Sequence, residues 1–523
     1  MGAEVRSVLI VVALVGVATV VAAFARRTRV PAPSLLVVVG LAVGLVPGVP
    51  DIRLGPDLVS LVVLPPLLYA AGEELSWPEL RRVWRPVTVL ALGLVVVSAA
   101  AVAAVATATV GLPVSTAFLL GAVLASTDPV AVAALGRRLS LPPRLQTLVQ
   151  AESLFNDATS LILFRIAAGI VVAGGALSAG RIVGEFLLLA VGGAVIGGLI
   201  AAGVAVVRRR TEDPVVETVV SLLTPYLAYL AAEAVHASGV TAVVVASVML
   251  GVWAPRLTGS RTRLQQSAVH ATVVFVLESV VFALIGLALP DLIRELSSAN
   301  QRWLLPSLAI ALTLMVVRVA WVFPLAGLRN WRHLGAGRWR WQVPAVVSWA
   351  GTRGVVPLAA ALSIPLVDAA GQPLPQRDLL LVLATAVIVI SLVVQGFTLA
   401  PLVRLADLAV PQDDAAGGYS RARLRVAEAG LAYVDELEAL ETVPPVVIEE
   451  VRRSLETRVE LAQEEGADPA SVRQTYRQVR REVVAVQARE LARLYSQGAI
   501  DAATRRRIQR QLDLDDARFT DDH

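Results

Sequence analysis

Apolar runs of roughly bilayer length recur along the chain, at about 5–25, 31–48, 54–72, 87–109, 113–136, 146–173, 182–207, 215–235, 238–255, 265–289, 303–328, 341–366 and 378–402. A helix rises 1.5 Å per residue, so about 20 apolar residues cross a hydrocarbon core of about 30 Å. The pattern predicts an all-α membrane protein with about thirteen transmembrane helices, the eighth and ninth separated only by His236-Ala237-Ser238-Gly239. After Leu402 the character changes. Residues 403–523 are charged, with helical periodicity, breaks near Pro411, Pro444-Pro445 and Gly466, and 18 Arg against 23 Asp/Glu. This predicts a transmembrane domain over 1–405 and a cytoplasmic helical domain over 406–523. The tail reads either as a regulatory domain with a ligand of its own or as a solvated appendage or dimer contact.

Loop charge sets the orientation. With the N-terminus outside, the inside loops hold Arg26/Arg27/Arg29, Arg81/Arg82/Arg85, Arg137/Arg138/Arg144, Arg208/Arg209/Arg210, Arg256/Arg261/Arg263 and Arg329/Arg332/Arg338/Arg340. The outside segments hold only Arg6, Arg53, Arg181, Arg294, Arg302 and Arg377. This follows the positive-inside bias, and one missed or invented helix would break the alternation downstream of it. The expected location is the cell membrane, multi-pass, with the C-terminus in the cytoplasm. The run ending at Ala25 has no basic leader and its arginines follow it, so it reads as a first membrane helix and not as a signal peptide.

Composition narrows the chemistry. The 523 residues are 56% hydrophobic with mean hydropathy +0.69, which fits an integral membrane protein. Cysteine is absent, which excludes disulfides and thiolate chemistry. All 46 basic residues are arginine, which excludes Schiff bases and the lysine of a phosphate-binding loop. The four histidines are scattered without metal-ligand spacing. The basic excess belongs to the membrane part, no nucleic-acid partner is expected, and nothing suggests a cofactor or an enzyme.

Against this background the polar groups inside the apolar runs stand out. Glu152, Ser153, Asn156 and Asp157 lie within the sixth run, and their i,i+4 spacing puts all four on one broad helix face. A carboxylate in the bilayer is costly unless paired, protonated or bound to a cation, so it marks a functional site by default. The fifth run is interrupted by Ala125-Ser126-Thr127-Asp128-Pro129, then continues apolar. The twelfth is interrupted by Trp349-Ala350-Gly351-Thr352-Arg353-Gly354-Val355-Val356-Pro357. Proline removes a backbone donor, and lipid cannot satisfy the groups such a break frees, so it persists only where it lines a cavity or binds something. With the seventh span as linker, spans one to six and eight to thirteen become six-helix repeats of opposite orientation. Matched discontinuous helices in inverted halves point to a transport site near the midplane.

These residues resemble a known family. Leu64-Pro65-Pro66-Leu67-Leu68-Tyr69, Ser126-Thr127-Asp128-Pro129-Val130, Ala151-Glu152-Ser153-Leu154-Phe155-Asn156-Asp157-Ala158, Glu278-Ser279-Val280-Val281-Phe282 and Gly351-Thr352-Arg353-Gly354 occur in the order found in the monovalent cation:proton antiporters. The nearer branch holds the animal sodium/proton exchangers and similar bacterial and archaeal proteins, and the likeness covers roughly 10–405. It implies an inverted-repeat fold with two crossing discontinuous helices, a homodimer in membrane lipid, and exchange of Na⁺ (or Li⁺ or K⁺) for H⁺. It also implies that Asp157 binds either ion, that Thr127 and Ser153 supply oxygen ligands, and that Asp128 holds the unwound crossing.

Mechanism follows from competition. Burial disfavours the ionised form of a carboxylate, so Asp157 can trade a proton for a hard cation near physiological pH. One carboxylate cannot hold both ions, and that exclusion couples them. Asn156 stands where electrogenic relatives of the family carry a second aspartate, and their lysine is impossible here, so one cation per proton is expected. Arginine keeps its proton, so Arg318 and Arg353 are fixed charges. Glu152 is expected to pair with Arg318, or else with Arg353, which more naturally steadies the half-helix ends. Glu278 matches a family position and is either functional or a buried glutamate paired with an arginine. Arg165 reads as a structural counter-charge, and Glu217, Glu233 and His236, near span ends, as wet interfacial groups or cavity-mouth charges. In several family members an acid stands where this chain has Ala70. Glu73, one turn on, is either a shifted acid of the cytoplasmic funnel or, with Glu74, a solvated pair. The rival readings are a K⁺/H⁺ exchanger of the same fold and, in another class, a cation channel or membrane sensor.

Overall fold

The computed structural model describes residues 12, 15–25, 31–47, 59–129, 142–174, 178–211, 213–296, 302–327, 341–406, 412–440, 443–464, 483, 486, 487, 489–491, 493, 494, 497 and 508. The expected outer ends of the first and third runs, the stretch after Pro129 and the arginines at 26–29, 137–138 and 329–340 lie outside these residues.

Helices α1 (Val15–Ala25), α2 (Ala32–Gly44), α3 (Val59–Glu73), α4 (Trp77–Val110) and α5 (Val114–Leu124) come first. They are followed by α6 (Pro143–Ala173), α7 (Ala179–Arg209), α8 (Pro214–Ala234), α9 (Gly239–Leu257), α10 (Ser260–Glu295) and α11 (Leu304–Gly327). Two short pieces, α12 (Gln342–Trp349) and α13 (Val355–Leu362), precede α14 (Arg377–Leu405). Eight of these helices are long and apolar enough to cross a membrane: α4, α6 to α11 and α14. Among the described residues there is no strand, only two isolated backbone bridges.

Local sequence explains the irregular helices. Pro65 and Pro66 in α3 cannot donate to the turn before them, and that turn, Val59–Val63, widens into a π-helix. The Val62 carbonyl is met instead by the Tyr226 hydroxyl at 3.1 Å. Pro86 in α4 is likewise followed by a π-helical stretch, Val89–Leu94. Helix starts are capped where the connections are short: Asp213 accepts from Val215 N–H at 2.8 Å and Ser238 from Thr241 N–H at 3.2 Å.

Helix packing depends on small residues. A Cβ on Gly40 of α2 would lie 2.1 Å from the Ala283 carbonyl oxygen of α10, and one on Gly286 would lie 2.1 Å from the Val37 carbonyl oxygen, so these two helices touch backbone to backbone. Helix α14 is enclosed, with 83% of its most apolar stretch buried, whereas α7 (28%) and α11 (22%) turn apolar faces to the outside. That contrast makes α14 an internal pillar and α7 and α11 peripheral.

The chain divides into two compact units, Met1–Val410 and Pro411–His523. In the second, α15 (Gln412–Ala439) and α16 (Pro445–Glu464) pair through Arg452, which reaches Asp435 at 2.6 Å and Glu438 at 2.5 Å. The hydrogen bond to Asp435 raises the Arg452 guanidinium above its ordinary value, although the acidic partners are exposed and the pair is screened by water.

Candidate functional site

The site is built where two helices stop. Helix α5 ends at Leu124 and α12 at Trp349, and the segments that follow cross as extended chain. The Asp128 N–H donates to the Thr352 carbonyl at 2.7 Å, and the Thr352 hydroxyl donates to the Asp128 carbonyl at 2.7 Å. Backbone groups that lipid would leave bare are therefore satisfied across the crossing.

Side-chain charge matches the exposed helix ends. A helix carries partial negative charge at its C-terminus and positive charge at its N-terminus. Arg353 donates through Nε to the Leu124 carbonyl at the end of α5 (3.0 Å) and through Nη1 to the Gly351 carbonyl just past α12. Its own N–H is anchored on the Ser391 hydroxyl of α14 at 3.1 Å. The Asp128 carboxylate accepts from Val355 N–H, at the start of α13, at 3.4 Å. Gly354 is required here: a Cβ would stand 1.6 Å from Asp128 Oδ2.

Helix α6 presents its polar face to this crossing. Glu152, Ser153, Asn156 and Asp157 are all buried, Asp157 with 6% exposure. The Ser153 hydroxyl donates to the Thr127 carbonyl at 2.5 Å, and Asn156 Nδ2 donates to the Thr127 hydroxyl at 2.6 Å. Asp157 Oδ1 accepts from the Ser126 hydroxyl. Glu152 is held by Arg318 of α11 through two bonds of 2.6 and 2.7 Å, and Arg318 also donates to the Val347 carbonyl of α12. Glu152 is thus neutralised by a fixed charge, while among the described residues Asp157 meets a hydroxyl donor and no arginine.

A cavity of about 760 Å³ ends at these groups. Ser126, Thr127, Asp128, Ser153 and Asp157 line its floor, and it reaches the end of the bundle where α1 and α3 finish and α2 and α10 begin, beside Ala25, Pro31, Glu73, Glu74 and Arg263. Ala70, His270 and Glu278 lie along its wall. The floor is an oxygen-rich pocket with two carboxylates, Asp128 facing the Val355 N–H and Asp157 the Ser126 hydroxyl, a donor set that suits a hard monovalent cation.

Residues 11–405 match the transmembrane sodium/hydrogen exchanger family. The chain belongs to that family. An Na⁺/H⁺ exchanger of Mycobacterium bovis, itself uncharacterised, is 32% identical over 98% of this chain and 96% of its own. The Na⁺/H⁺ antiporter ApNhaP of Aphanothece halophytica is 34% identical over 73% of this chain and 71% of its own. The structure of the sodium proton antiporter MjNhaP1 from Methanocaldococcus jannaschii shares the fold, with TM-score 0.63 at 18% identity over 77% of this chain and 98% of that one. The protein is accordingly a multi-pass membrane antiporter of monovalent cations and protons, not an enzyme, and the family needs no cofactor.

Within this exchanger the structure gathers Thr127, Asp128, Ser153, Asn156 and Asp157 at one crossing and sets Glu152, Arg318 and Arg353 behind it. Glu278 is on the cavity wall on α10. Three features differ from the sequence reading or were missed by it. Ser126, not singled out as a ligand, is the hydroxyl on the Asp157 carboxylate. Arg165 pairs with Glu233 of α8 and donates to the Ala237 carbonyl at 3.2 Å, so Glu233 is no free interfacial group. Glu217 is buried with 4% exposure, not wet. A Ser-Thr-Asp run could have flagged Ser126, but sequence alone does not say which of two adjacent hydroxyls turns towards the acid.

Proposed function

We propose that this exchanger moves Na⁺ or Li⁺ against H⁺, one for one and without net charge, with both ions competing for Asp157. The observation that carries the reading is the floor of the cavity, where the Asp157 carboxylate meets a hydroxyl donor, while Asp128 accepts from the start of α13 and Glu152 is held by Arg318. A bare Asp157 anion is costly to move through the low-dielectric interior, whereas the protonated or cation-bound form is neutral. The site therefore crosses loaded with one ion or the other and stalls empty. In this reading the protein is a homodimer in the cell membrane, with thirteen spans in two inverted repeats, N-terminus outside and tail in the cytoplasm. Arg263, in a connection that the charge pattern puts inside, lines the cavity's open end, which supports an inward-facing reading.

Potassium is a second candidate, because a Bacillus pumilus relative, 31% identical over 78% of this chain, is named a sodium, potassium, lithium and rubidium/H⁺ antiporter. Proteoliposomes decide both points. An imposed pH gradient should collapse on adding Na⁺ or Li⁺, at a rate independent of a clamped potential, and Asp157→Asn should abolish it. A rate that follows the potential sinks the stoichiometry, normal exchange by Asp157→Asn sinks the site, and K⁺ outpacing Na⁺ favours the second reading.

A further inference from the structure

Three hydroxyls stand at the floor of the cavity, and two of them bond to groups other than Asp157. Ser153 donates its proton to the Thr127 carbonyl at 2.5 Å, and the Thr127 hydroxyl accepts from Asn156 at 2.6 Å. Both bonds tie α6 to the crossing segment. The third, Ser126, is fully buried yet lines the cavity, and its hydroxyl bonds to Asp157 Oδ1. No described residue donates to the other carboxylate oxygen. Ser126 is the first residue beyond the turn that ends α5, so its side chain hangs from backbone that has left the helix and is fixed by the Asp128–Thr352 bridge two residues on.

A serine hydroxyl is both donor and acceptor. Facing an unloaded carboxylate it donates its proton; facing a cation on that carboxylate it turns its lone pairs outward. We propose that Ser126 is a ligand and specificity-determining residue of the Asp157 site, capping the empty carboxylate and presenting its oxygen to a hard monovalent cation when one arrives from the cavity. The inference rests on the reading that Asp157 binds the transported cation. It adds to the floor a side-chain oxygen already in contact with the Asp157 carboxylate.

The test is cation dependence of exchange by wild type, Ser126→Ala, Ser126→Cys and Ser126→Thr in proteoliposomes, with Asp157→Asn alongside. A hydrogen-bonding partner of a charged group is worth enough to change affinity at least about tenfold. Ser126→Ala and Ser126→Cys should therefore raise KM for Na⁺ by about tenfold or more with little change in kcat, cysteine because soft sulfur is a poor ligand for a hard ion. Ser126→Thr, which keeps the oxygen, should stay within about threefold of wild type. Na⁺-induced thermal stabilisation in detergent should weaken in the same order. A purely structural hydroxyl predicts a fall in kcat at unchanged KM. A cap that only competes with the cation predicts a lower KM on its removal. Either result overturns the proposal, as does a threonine variant no better than alanine. If Ser126→Ala is not recovered folded, the cysteine and threonine variants decide by the same criteria. Exchange surviving in Asp157→Asn would instead remove the reading on which the proposal rests.

Discussion

Arg318 grips Glu152 with both terminal nitrogens, at 2.6 and 2.7 Å, and uses Nε and Nη2 to hold the Val347 carbonyl at 3.1 and 3.0 Å. The two side chains are 3% and 1% exposed. One guanidinium thus neutralises an acid on α6 and ties down a carbonyl near the end of α12. Removing one partner of a buried pair strands the other, at a cost of about 3–5 kcal/mol. Arg318→Ala should lower the melting temperature in detergent sharply, and Glu152→Leu/Arg318→Met should recover much of the loss. If Arg318→Ala melts like wild type, the pair is not buried as described.

Competition for one carboxylate gives a pH signature. On the proposed competition at Asp157, protons displace Na⁺ as pH falls, so the apparent KM for Na⁺ should rise on the acid limb by about tenfold per pH unit, by mass action. The maximal rate at saturating Na⁺ should hold, because enough cation displaces the proton. Initial rates across a Na⁺ series at several pH values check this. A maximal rate that falls at constant KM would mean that a separate group gates transport.

Gly354 has no room for a methyl group, since a Cβ would stand 1.6 Å from Asp128 Oδ2 and 2.4 Å from its Cγ. Gly354→Ala should displace Asp128 from the start of α13 and cut exchange by more than about tenfold, the scale set by losing a charge-assisted bond. Adding Asp128→Gly, which also takes away the Cβ at 2.6 Å, removes the clash but does not restore the charge. The double variant should therefore fold better than the single one while exchanging no better.

Arg165 lies on α6 eight residues beyond Asp157, about 12 Å further from the cavity's open end by helical rise. Its bonds to Glu233 and to the Ala237 carbonyl join α6 to the α8–α9 turn. Alternating access requires this closed end to part. The chain has no cysteine, so Arg165→Cys/Glu233→Cys introduces the sole thiols. A reducible bis-methanethiosulfonate bridge between them, about as long as the side chains it replaces, should stop exchange and reduction should restore it. Undiminished exchange in the cross-linked protein would show that this end never opens.

The site and its setting were unequally legible in the sequence. The breaks at 125–129 and 350–354 could be read because proline and glycine act through the backbone at their own positions, whatever surrounds them. The polar face of α6 could be read because helical spacing is fixed. Pairing was harder. Glu152 had two candidate arginines, and only the fold shows Arg318 taking the carboxylate while Arg353 turns to the Leu124 and Gly351 carbonyls. Arg165 and Glu233 are 68 residues apart, and no local rule links them. The π-helical stretches in α3 and α4 likewise follow from how prolines are absorbed in packed helices, which hydropathy does not report.

The crossing gathers Arg353 and Asp128, and Arg318 and Glu152 stand behind it, two cations against two anions. A membrane voltage does about 2.3 kcal/mol of work per elementary charge per 100 mV. On the proposed one-for-one exchange, in which these charges cancel and the cargo neutralises Asp157, it would do none. A cell using such a machine would set its internal acidity by the ratio of sodium concentrations across its envelope and would keep that control when it is electrically depolarised.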